Sequence, residues 1–119
     1  MTRRHLLLAL LIFACTGCSR HTAGHQASAQ ASTPELMIQY GCPTCHVIPG
    51  VPGAVGKVGP SLDSLAQRSY LAGTLPNTFV DLEQWVMHPQ RFQPGTAMPE
   101  MGVSQDDARR IAIYLEASH

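Results

Sequence analysis

Basic clusters and alternating apolar stretches are missing from this chain of 119 residues, and beyond its first eighteen residues so is a second Cys-x-x-Cys pair. Charged residues make up only 13% of it, eight basic against eight acidic, and no run of Lys or Arg forms a stripe. That excludes a nucleic-acid partner held by its phosphates. Long-range steering toward a charged partner is modest for the same reason. No stretch alternates apolar and polar residues as a half-buried strand does, which leaves an all-α domain with long loops. The apolar run from Leu6 to Ala14 is too short for a conventional membrane span.

That run follows Arg3 and Arg4 and precedes small residues and cysteine, the pattern of an export signal. Cys15 and Cys18 sit where a bacterial lipoprotein signal places its acylated residue. Thr16 and Gly17 before Cys18 are small, as a signal peptidase prefers, whereas bulky Phe13 lies before Cys15. Residues 1–18 therefore read as a lipoprotein-type signal peptide with Cys18 as the acylated residue. Acylation at Cys15 and plain secretory cleavage further on are the alternatives. Several acyl chains on one cysteine give stable anchoring where one chain does not. The expected location is the periplasmic side of a membrane, held by a lipid anchor. Loss of Arg3 and Arg4 leaves the mature chain weakly acidic.

Residues 19–33, small and polar with no apolar period, cannot offset the entropy of ordering and read as a flexible tether. A coil of that length spans on the order of 20 Å. His21 and His25 within it read as soluble spacers. The folded domain is thus expected over 34–119, short enough that a core needs a disulfide, a metal or a large cofactor to complete it.

Four helical segments are predicted. In STPELMIQY, Ser32 or Thr33 caps, Pro34 and Glu35 suit the first turn, and Leu36, Met37 and Tyr40 form an apolar stripe. SLDSLAQRSYLAG reads as a short helix with Leu62 and Leu65 on one side. NTFVDLEQWVMHP starts at an Asn77 or Thr78 cap and stops near Pro89. SQDDARRIAIYLEASH opens with a Ser104 and Asp107 capping box and carries Ala108, Ile111, Ala112 and Leu115 at helical spacing. The glycine- and proline-rich residues 47–60 are an Ω-like loop, and QRFQPGTAMPEMGV is a second loop.

The chemistry concentrates in CPTCH, residues 42–46. A thioredoxin-like pair requires a strand before the motif and a helix after it, and here the order is reversed. A structural zinc site requires more ligands, yet only His88 and His119 remain beyond the tether. A disulfide across so small a loop stabilises less than a longer one. Cys-x-x-Cys-His is instead the attachment signature of c-type haem. Residues three apart on a helical turn share a face, so Cys42 and Cys45 can form thioethers with two vinyl groups, and His46 is then aimed at the iron.

With GPSL at 59–62, HPQRFQPGTAMP at 88–99 and IAIYL at 111–115, the motif makes the chain similar to the class I cytochromes c over residues 34–117. The resemblance implies a compact fold of about four short helices with long loops around one haem, the first and last helices crossing. It also implies that Met98, in GTAMP, is the second axial ligand of the iron beside His46. A thioether in a loop held by Pro94, Gly95 and Pro99 suits that role, and a His/Met pair raises the potential. Met101 is its rival, with His88 or an open site as further alternatives. The resemblance further implies that the Pro60 carbonyl accepts a hydrogen bond from His46 and that Arg68 and Thr96 partner the haem propionates, with Tyr70 a weaker candidate. Trp85 is expected against the porphyrin, and Tyr114 at the contact between terminal helices.

The expected function is a non-catalytic single-electron carrier with one haem c, as a monomer or a complex subunit. Its partners would be redox proteins in or on the membrane, such as an oxidase or a dehydrogenase. A haem-based sensor with a labile distal methionine is the alternative, and gas binding distinguishes the two. A peroxidase would require a positioned distal acid/base group, which the methionine loop does not offer.

Overall fold

The computed structural model describes residues 30–118. The signal stretch with Cys15 and Cys18, the tether through residue 29 with His21 and His25, and His119 lie outside the described residues. Helix α1 spans Thr33–Gln39 with Ser32 as its cap. Ser32 Oγ accepts the Glu35 N–H at 3.4 Å, while the Glu35 carboxylate accepts the Ser32 N–H at 2.7 Å. Two N–H groups without helical partners are satisfied together. Leu36 and Met37 face inward and are buried.

Beyond α1 the chain passes through Gly41, whose φ of +78° suits glycine far better than any L side chain, into a single 3-10 turn, Cys42–Thr44. In that tighter helix positions three apart eclipse, so Cys42 and Cys45 fall on one side. The following loop, 47–60, is closed by an antiparallel bridge between Val47 and Val55. It buries Ile48, Val51 and Ala54, and so adds apolar surface of its own to the core.

The helix expected over SLDSLAQRSYLAG does not form, and the domain is not purely helical. Only a 3-10 turn, Leu65–Gln67, is present, entered through Ser64 at φ +54°. Tyr70–Leu71 is a strand, β1, paired antiparallel with β2, Leu75–Pro76. Side chains draw off the carbonyls that a helix would use. Asn77 Nδ2 donates to Leu65 O at 2.8 Å and Arg68 O at 2.9 Å. The Arg68 guanidinium donates to Ser61 O at 2.5 Å and Asp63 O at 3.1 Å.

Helix α2, Phe79–Met87, starts at Thr78, whose Oγ1 accepts the Asp81 N–H at 3.1 Å. Pro89 does not merely end it: the residue opens a further one-turn helix, α3, Pro89–Phe92, that hydrophobic periodicity does not reveal. Helix α4, Gln105–Ala117, is capped by Ser104, whose Oγ accepts the Asp107 N–H at 3.2 Å. The Asp107 carboxylate does not return to the Ser104 backbone as a capping box requires. It accepts the Ser104 hydroxyl at 2.9 Å and the Tyr40 hydroxyl at 2.8 Å.

Helix α4 packs against both α1 and α2 and buries Ala108, Ile111, Ala112 and Leu115. Tyr40, rather than Tyr114, makes the hydrogen bond between the terminal helices. Tyr114 sends its hydroxyl to Pro49 O at 2.7 Å and so ties α4 to the 47–60 loop. Among the described residues no helix is long and apolar enough to cross a membrane.

Candidate functional site

The core encloses a cavity of about 730 Å³. Its walls are the core itself: Met37 of α1, Leu82 and Val86 of α2, and Ile111 and Leu115 of α4 are buried residues that also face this space. Leu65 and Leu71 close a further side. The size falls within the ~300–1,000 Å³ typical of cofactor and ligand sites, and the mix of apolar walls with a few polar groups is theirs too.

The eight residues expected to bind the haem, Cys42, Cys45, His46, Pro60, Arg68, Trp85, Thr96 and Met98, all line this one cavity. The 3-10 turn supplies Cys42 and Cys45, followed by His46, and Pro60 and Arg68 come from the succeeding loop and turn. Trp85 comes from α2, and Thr96 and Met98 from the loop after α3. Tyr70 and Met101 line it as well. His88 does not. Its Nδ1 lies 3.4 Å from Glu100 Oε2 at the surface.

His46 is held in one orientation. Its Nδ1 lies 2.7 Å from the Pro60 carbonyl oxygen, and a carbonyl can only accept, so Nδ1 carries the proton. The Nε2 lone pair is then free to bind a metal, and the hydrogen bond makes the ring a better donor. Gly59 flanks the ring so closely that a Cβ there would stand 2.7 Å from Nδ1 and 2.8 Å from Nε2. Gly59 N–H in turn donates to Cys45 O at 2.8 Å, locking the loop onto the motif.

Cys42 and Cys45 are both free thiols, half-buried at the cavity. Burial pushes the Cys42 thiol up from its ordinary range, with a smaller contribution in the same direction from Cys45. Among the described residues no three His, Cys, Asp or Glu side chains gather as a metal-ion cluster. The donors that do converge are two thiols, one imidazole and a thioether, in apolar surroundings. They suit covalent attachment of an apolar group and soft axial ligation of a metal that brings its other ligands with it.

Arg68 reaches the cavity, but its guanidinium already holds the Ser61 and Asp63 carbonyls. Thr96 has its carbonyl bound and its Oγ1 3.5 Å from the Met98 N–H. The agent of the first of these contacts is Gln90, a residue that the sequence does not single out. Its side-chain amide donates to Thr96 O at 2.9 Å and to Met98 O at 2.7 Å, and accepts the Gly95 N–H at 3.0 Å. A Gln one position after the helix-opening Pro89 carries no distinctive sequence signal.

The chain is 31% identical over 84 residues to cytochrome c oxidase subunit 2 of Alkalihalophilus pseudofirmus. The match takes in 70% of this chain but only 24% of the relative, so the chain spans about a quarter of that protein's length. No family model and no solved structure matches.

Proposed function

We propose that the chain is a c-type cytochrome that carries single electrons, in which Cys42 and Cys45 would attach one haem c and His46 and Met98 would hold its iron. The observation that carries this reading is the convergence of two thiols, an oriented imidazole and a loop methionine on one core-walled cavity. The donor set fits: the paired cysteines share a side of one tight turn, and the Pro60 bond occupies Nδ1, so that in the neutral ring the lone pair is on Nε2. The haem iron, when bound, supplies reversible one-electron chemistry.

The chain's own residues do the rest. Leu65, Leu71, Leu82, Val86, Ile111 and Leu115 keep water from the ring system, which limits solvent reorganisation during transfer. A thioether at Met98 favours the reduced form and raises the potential. Arg68 places a fixed positive charge at the cavity edge, suited to a propionate, while its bonds to Ser61 O and Asp63 O prevent it from swinging away. Val58 and Tyr70, 69% and 58% exposed, border the same cavity and offer an apolar rim where a redox partner could approach.

The likeness to cytochrome c oxidase subunit 2 supports a place in respiratory electron transfer, with a membrane oxidase or dehydrogenase as partner. The class I cytochrome c fold, the non-catalytic role, the export signal and the lipid anchor at Cys18 belong to the same reading. The test is to produce the full chain in a cell competent for export and haem attachment. The expected product is a coloured, membrane-held protein whose mass shows one haem bonded at both Cys42 and Cys45, with a methionine-to-iron charge-transfer band when oxidised. A colourless product with free thiols at both positions overturns the reading. Rapid carbon monoxide binding to the reduced protein would turn it toward a gas sensor.

A further inference from the structure

We infer that Gln90 is the clasp that holds the Met98 loop against the cavity. It acts as a positioning residue that decides how readily Met98 leaves its axial place. This rests on the haem reading above, but the geometry stands apart from it.

Gln90 is the second residue of α3, the one-turn helix directly before the loop. A glutamine amide offers two N–H donors and one carbonyl. Here each is spent on the loop: the N–H groups on Thr96 O and Met98 O, the carbonyl on the Gly95 N–H. The Gln90 backbone N–H donates to Glu100 Oε1 at 3.2 Å, closing the far end as well. Among the described residues no other side chain from outside the 94–99 loop hydrogen-bonds its backbone.

The loop can do little to hold itself. Pro94 and Pro99 have no N–H to give, and apart from the Thr96 N–H to Gln93 O bond it forms no backbone turn of its own. One of the three Gln90 contacts falls on the carbonyl of Met98 itself, so the amide sets the position of the residue that carries the thioether. With the clasp removed, the loop carbonyls turn to water, the loop opens more often, and an outside ligand competes better for the iron.

The experiment compares full-length wild type, Gln90→Met and Gln90→Glu, using imidazole as the competing ligand for the oxidised protein. Gln90→Met keeps the length of the side chain and removes all three contacts. Gln90→Glu keeps an acceptor for Gly95 and loses both donors. Both variants are expected to bind imidazole ~10- to 100-fold more tightly than wild type, as loss of two or three hydrogen bonds implies. Their midpoint potentials should fall, because the thioether is held less firmly. Amide exchange at Gly95 should speed up in both variants, and ~10-fold more in Gln90→Met, which also loses the acceptor of that N–H, than in Gln90→Glu. A role in stability alone would not produce that split.

Wild-type imidazole affinity and potential in both variants, with folding intact by circular dichroism, overturn the inference. Unchanged Gly95 exchange in Gln90→Met overturns it equally, and if that variant does not fold, Gln90→Glu and its imidazole affinity decide. A colourless wild-type protein defeats the haem reading instead, and the Gly95 exchange comparison still decides whether Gln90 holds the loop.

Discussion

Gly59 lies against the ring of His46 with no room for a side chain: a Cβ would come within 2.8 Å of Nε2, the nitrogen left free by the bond from Nδ1 to Pro60 O. The neighbour in the way is a packed ring and not the free end of a flexible chain. Gly59→Ala must therefore displace the imidazole or the loop. The expected result is a loss of about 1–3 kcal/mol in stability, the usual penalty of overpacking. An altered axial-ligand spectrum should accompany it, measured by thermal melts and by absorption of the oxidised protein. A variant with wild-type melting and an unchanged spectrum would show that the ring is not confined as described.

Met98 and Met101 both face the cavity and are both half-buried, so exposure does not separate them. The Gln90 contact to Met98 O does, since only Met98 has its backbone pinned by this clasp. On the proposed haem reading, Met98→Leu should abolish the charge-transfer band and lower the potential, while the conserved volume keeps the packing loss below about 1.5 kcal/mol. Met101→Leu should leave the band in place. The reverse pattern would assign the iron to Met101.

Tyr40 and Asp107 join α1 to α4 at 2.8 Å. Tyr40→Phe removes the hydroxyl and leaves the ring, so it should cost about 0.5–1.5 kcal/mol by denaturant titration. Asp107 retains the Ser104 hydroxyl and the Arg110 guanidinium, at 3.7 Å, which keeps the loss near the low end. No change in midpoint would mean that the bond is not formed in solution.

At α1 the cap is expected to depend on pH. The hydrogen bonds from Ser32 lower the Glu35 carboxyl below its ordinary 4.5. A folded-state value below the unfolded one contributes stability above the unfolded value and loses it as pH falls through the folded value. Melting temperature should therefore drop with acidification starting near pH 4.5, and Glu35→Gln should drop less. Ser32→Ala should cost about 1 kcal/mol at neutral pH, the usual worth of a helix cap. An equal acid response in wild type and Glu35→Gln would assign the effect to other carboxylates.

The parts legible in the sequence are those that short-range chemistry decides. Ser32, Thr78 and Ser104 cap because a hydroxyl one residue outside a helix meets an N–H three residues on, whatever lies beyond. The CPTCH spacing puts two thiols on one side of a turn and a histidine beside them, so that much of the site is local too. SLDSLAQRSYLAG shows where this stops. Its periodicity suits a helix, yet Asn77 and Arg68 take its carbonyls, and the chain becomes a 3-10 turn and a hairpin.

The sequence by itself thus determined the caps and the CPTCH turn with its two thiols and histidine, because each depends on atoms a few bonds apart along the chain. Only the tertiary structure decided that Tyr40 meets Asp107, that Gly59 confines His46 and that Gln90 takes hold of the Met98 loop. Such contacts pair groups whose nearness is created by packing. Many polar residues could make them equally well, and the packed chain selects among them.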